Sequence, residues 1–141
     1  MTEVYVDVAA ASIESGSSEG RAGAAAMSDP EAVKALRYLA EAGVRIVAVQ
    51  ADALEPGTEL RAIANAVVRA VPDRPRAPAW YLTSDIDRCR GSSARLRTVL
   101  IGGTQPSGSV RRCDAVARDV QAAVMEILAA DAMAPRRTVV P

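Results

Sequence analysis

The chain has 141 residues, half of them hydrophobic and 24% charged, the composition of one folded domain and not of a disordered segment. Seventeen basic residues balance seventeen acidic ones, so no net field draws the chain to nucleic acid or to a membrane surface. Histidine is absent, which excludes histidine general bases, Ser-His-Asp triads and His-containing zinc sites.

A chain of this length buries roughly two thirds of its unfolded surface, so it needs no disulfide to fold. Its core must come from Ala, Val, Leu and Ile, because Phe is absent and there are one Trp and three Tyr. Aromatic platforms for bases or sugars are correspondingly scarce. Lys34 is the only lysine; every other basic residue is Arg, a bias that with the Ala and Val load points to a high-GC bacterial genome. Cys89 and Cys113 lie too far apart for a CxxC metal pair, and two reduced thiols in a cytosolic protein are expected. The start of the chain has no basic region followed by an apolar core, and no apolar run reaches the ~20 residues of a membrane span, so the expected location is cytoplasmic.

Taken in order, VYVDV at 4–8 is a short β-branched run and reads as a buried strand that meets Asp7. Residues 9–26 are Ala, Ser and Gly, a composition that buries little surface and reads as a flexible loop. Ser28-Asp29-Pro30-Glu31 matches a capping box with Pro in the first turn. Val33, Leu36, Leu39 and Ala40 follow at helical spacing and Gly43 supplies the stop, which predicts a helix over 30–42. VRIVAV at 44–49 is a second buried strand. A helix over 58–65 and a strand over 66–71 follow, with helix and strand hard to separate in the second stretch. A proline-spaced loop occupies 72–78. AWYLTSD, 79–85, is a strand ending in polar residues, and RTVLIGG, 97–103, is read as the last strand, closed by Gly102 and Gly103 before a TQPSG turn.

From Val110 to about Met133 the period is helical, with Val110, Cys113, Ala117, Val120, Val124, Ile127 and Leu128 on one stripe. A helix lying across a sheet is the leading reading; a seam for a homodimer is the other. PRRTVVP, 135–141, reads as a frayed tail. No internal repeat is evident, and 1–134 reads as a single domain.

Apolar runs alternating with helices predict an α/β fold: a three-layer, doubly wound, Rossmann-like, mostly parallel sheet. In such folds ligands sit at the carboxyl ends of the strands, where Asp7, Gln50 with Asp52, and Thr83-Ser84-Asp85 converge.

At these strand ends the chain resembles the haloacid dehalogenase (HAD)-like superfamily of phosphohydrolases. VYVDVAA fits that family's first motif, hhhDxDx(T/V), up to Asp7. EAGVRIVAVQ fits the approach to the second, and AWYLTSDIDRC with ARLRTVLIGG fits the fourth and the strand after it. The resemblance covers residues 3 to 130 and implies a capless, HAD-like member. It makes Asp7 the nucleophile of a phosphatase, with magnesium on Asp7 and Asp85 as the cofactor.

The same resemblance exposes departures. Ala9 stands at the acid/base position, and an alanine neither protonates a leaving group nor activates water. Gln50 replaces the Ser or Thr that binds phosphate. No lysine lies between Gln50 and Trp80, so Arg74 and Arg76 are the candidate phosphate-binding replacements, with a planar fork where the family has a point charge. The phosphonate-cleaving branch does carry D-x-A, but it needs a cap lysine that residues 9–26 lack. The expected function is that of a catalytically degenerate domain that binds a protein partner or a small phosphorylated ligand. The alternatives are a magnesium-dependent phosphatase working through Asp7 and an unrelated doubly wound binding domain; no G-x-G-x-x-G follows the first strand to support a nucleotide site.

Overall fold

The computed structural model describes residues 2–12, 28–50, 55–72, 75, 78–89, 96–102 and 113–133. β1 spans Glu3–Asp7 and runs into a 3-10 turn, Val8–Ala11. α1 (Pro30–Glu41) and β2 (Arg45–Val49) follow, then α2 (Thr58–Ile63), β3 (Ala66–Val68) and β4 (Ala79–Thr83). A second 3-10 turn, Ile86–Arg88, leads toward β5 (Leu96–Ile101), β6 (Ala115–Ala117) and α3 (Val120–Met133).

The strands form one sheet in the order β3-β2-β1-β4-β5-β6, and every pairing is parallel. The chain therefore builds outward from β1 to β3, crosses back to β4 beside β1, and builds outward again. The junction of β1 and β4 is the switch point, where crossovers diverge and leave a crevice at the strands' carboxyl ends. Asp7 closes β1 there, and Thr83 closes β4.

Alternation along each strand sorts the residues onto two faces. Val4, Val6, Ile46, Ala48, Trp80, Leu82, Val99 and Ile101 pack with Leu36 and Leu39 of α1, Leu60 of α2, and Val120, Val124 and Ile127 of α3. Burial of each such Leu or Ile contributes about 1.5–3 kcal/mol. The opposite face carries Tyr5, Val47, Val49, Ala79, Tyr81 and Leu96, with Val71 folded onto them. No described helix is long and apolar enough to cross a membrane.

α1 is bounded by local chemistry. Its N-cap is Asp29, one residue later than the capping box predicts. The Asp29 carboxylate accepts from the Glu31 amide at 3.0 Å, while Ser28 pairs as an antiparallel bridge with Ser12. At the other end Gly43 takes φ +92°, the Gly43 amide donates to Ala40 and the Val44 amide to Leu39, a Schellman closure with Val44 in the core.

Three expectations need correction. RTVLIGG is not the last strand, because β6 follows it. The helix predicted from Val110 begins at Val120: Ala117 lies in β6 and Cys113 just before it, so the stripe joined a strand and a helix by coincidence of spacing. The cysteines are not separate thiols. Cys89 and Cys113 form a disulfide, with Cα atoms 5.1 Å apart, which removes the thiol argument for a reducing compartment. Residues 13–26 of the predicted loop, Gly103 and the TQPSG turn, Val110 and the tail lie outside the described residues.

The two short edge strands are built alike. Asn65 precedes β3, accepting from the Ile46 amide at 3.0 Å and donating its own amide to Ile46 O at 2.7 Å. Asp114 precedes β6 and repeats both bonds with Thr98, at 2.7 and 2.8 Å. A short polar side chain thus mimics one more ladder position, and NAVVR and DAVAR form the opposite edges of the sheet.

Candidate functional site

The pleat brings Tyr5 and Asp7 of β1 and Tyr81 and Thr83 of β4 to one face, with Tyr5 in register with Tyr81. Asp7 is only 1% exposed. Its Oδ1 accepts from the Tyr81 hydroxyl at 2.7 Å; its Oδ2 accepts from the Thr83 hydroxyl at 2.6 Å and from Arg88 Nη1 at 3.0 Å. Such charge-assisted bonds offset the cost of burying a carboxylate.

Thr83 links the two acids. While its hydroxyl donates to Asp7, the same oxygen accepts from the Asp85 amide at 3.1 Å. The Asp85 carboxylate accepts from the Asp87 amide at 3.0 Å and so caps the 3-10 turn Ile86–Arg88. That turn swings Arg88 back over the strand ends, where its Nε lies 3.6 Å from Asp85 Oδ2. The guanidinium therefore bridges a buried acid, Asp7, and a half-exposed one, Asp85. Cys89, next in the chain, is buried with Leu100, Cys113 and Ile86 and is tied by its disulfide to the approach to β6.

The phenols respond to this setting. Burial, and then the hydrogen bond to and negative charge of Asp7, push the Tyr81 hydroxyl well above its ordinary range near 10. Tyr5 is pushed up to about 12, first by burial and then by its 2.9 Å bond to Glu3.

Of the residues singled out from the sequence, Asp7 and Asp85 meet through Arg88. Ala9 lies in the 3-10 turn after β1, partly exposed, with no group able to carry a proton. Gln50 stands one residue past the end of β2, half-buried, its backbone N–H donating to Val68 O at 2.8 Å. Arg74, Arg76 and Asp52 lie outside the described residues. Tyr81 and Arg88 join the site without any motif to mark them. The signal for Tyr81 is strand alternation, which puts it on the face of Thr83. The signal for Arg88 is a cation three residues after Asp85.

Among solved structures the chain is similar to D,D-heptose 1,7-bisphosphate phosphatase from B. bronchiseptica, determined with magnesium and phosphate. Identity is 14%, coverage is 92% of this chain and 99% of that one, and the TM-score is 0.59. The corresponding phosphatase from Burkholderia thailandensis is 15% identical over 91% of this chain and 99% of its own, with a TM-score of 0.57. No protein-family model and no curated protein matches the sequence. At this level of identity the shared feature is architecture, and the all-parallel sheet with its β1–β4 switch point gives this chain the HAD-like α/β fold.

Proposed function

We propose that the chain is a catalytically silent HAD-like domain that acts by binding a protein partner or a small phosphorylated ligand without turning it over. The observation that carries this reading is the enclosure of Asp7. A carboxylate that attacks phosphorus needs an oxygen open to the phosphoryl group. Asp7 is 1% exposed, and both its oxygens accept bonds from the chain's own donors. Ala9 adds the second defect, since no side chain there moves a proton.

The magnesium that the resemblance implies does not fit this arrangement. Magnesium takes near-octahedral oxygen ligands at close range. Asp7 Oδ2 already accepts from Thr83 and from Arg88, whose positive charge repels a second cation. Among the described residues no three His, Cys, Asp or Glu side chains cluster as a metal site.

Two features support the competing reading, a magnesium-dependent phosphatase with Asp7 as nucleophile: the position of Asp7 at the end of β1, and the phosphatase neighbours. Purified protein assayed with magnesium and an aryl phosphate separates the two. The silent domain gives no turnover above that of Asp7→Asn, whereas turnover that Asp7→Asn abolishes establishes the phosphatase.

A further inference from the structure

We infer that Arg88 is the resident cation of the strand-end site: a guanidinium supplied by the chain itself, bridging Asp7 and Asp85 and excluding divalent metal. This deepens the silent reading and rests on it. Two carboxylates brought together past the ends of neighbouring strands, β1 and β4, repel each other and call for a positive charge between them. The structure supplies that charge from within, at 3.0 Å from Asp7 and 3.6 Å from Asp85. Guanidinium suits the task, because it stays protonated and offers several donors in a fixed plane.

Arg88 is also held in place on both sides. Before it, the Asp85 carboxylate caps the turn through the Asp87 amide, and the Asp85 amide is itself bonded to Thr83. After it, Cys89 is buried at 1% exposure and covalently joined to Cys113. Cys113 leads directly into β6, which is paired with β5 and through it with β4. The turn that carries Arg88 is therefore anchored to the sheet at two points, and the side chain begins from a fixed backbone position. A surface arginine that met Asp7 by chance would not have a turn clamped in this way.

The probe is manganese, a paramagnetic divalent ion that takes oxygen ligands as magnesium does. Titrated into the disulfide-intact protein and followed by amide NMR, manganese leaves the signals of Asp7, Thr83 and Asp85 unbroadened. Arg88→Gln removes the charge and keeps a polar side chain of similar reach. It is expected to raise manganese affinity by about tenfold or more, with broadening centred on those residues and lost again in Asp7→Asn/Arg88→Gln. Broadening centred on Asp7 in the wild type overturns the inference, as does a folded Arg88→Gln protein with no gain. If Arg88→Gln does not fold, the wild-type titration alone decides. Manganese binding by the wild type without phosphate turnover removes only this inference; turnover without a metal requirement removes the silent reading and leaves Arg88 as the cation.

Discussion

The Tyr81 hydroxyl donates to Asp7 Oδ1 across the β1–β4 junction, 2.7 Å away and between two buried residues. Tyr81→Phe keeps the ring in its place and deletes this donor, leaving a buried carboxylate oxygen one bond short. The expected cost is about 1.5–3 kcal/mol in denaturant unfolding, the range for a hydrogen bond to a charged group. A loss no larger than that of a surface substitution would mean that the bond is not formed in solution.

The same contact fixes a pH dependence. Folding raises the pKa of Tyr81, so the folded state holds this proton more tightly than the unfolded state does. The resulting stabilisation is complete below the ordinary phenol value near 10 and is lost as pH rises above it; Tyr5, raised to about 12, loses its share by the same path. Wild-type protein is therefore expected to lose stability above pH 10 more steeply than Tyr81→Phe. Unfolding midpoints of the two proteins along an alkaline series provide the check, and parallel curves would contradict the assignment.

Thr83 serves two partners at once, and its variants should separate them. Thr83→Val removes the hydroxyl at nearly constant volume and strips both the bond to Asp7 and the acceptor for the Asp85 amide. A loss of about 1–3 kcal/mol is expected, with Thr83→Ser retaining most of the stability. Because both partners lie in one network, Thr83→Val and Arg88→Gln should be non-additive in a double-mutant cycle. Additive losses would show that the two donors act on Asp7 independently.

The disulfide closes a loop between residues 24 apart. Chain-entropy reasoning gives about 3.5 kcal/mol for a loop of that size. The Cys89→Ser/Cys113→Ser protein should lose stability of that order and show faster amide exchange through the Arg88 turn. Unchanged protection there would mean that the Asp85 cap alone holds the turn.

Much of the architecture could be read from periodicity, because β1, β2, β4 and β5 are each built around a short apolar run and α1 has clear stop chemistry in Gly43. The edges could not. β3 and β6 are three residues long, and each owes its pairing to Asn65 or Asp114, whose role depends on a neighbour distant in sequence. Around β6 the accidental spacing of Cys113, Ala117 and Val120, which fall before the strand, in it and in α3, imitates a helix. At the site, Asp7 and Asp85 were legible as acids at strand ends. The enclosure was not, because it depends on the direction of Arg88 after a turn and on a disulfide between cysteines that spacing alone did not pair.

Tyr81, Thr83 and Arg88 seal Asp7, and a crystal structure grown with magnesium and beryllofluoride is the sharpest check of that enclosure. Asp7 is expected to be unmodified, with Arg88 still bonded to it. Beryllofluoride on an Asp7 oxygen, with magnesium beside Asp85 and Arg88 turned away, would show that the site opens to a phosphoryl group and a metal.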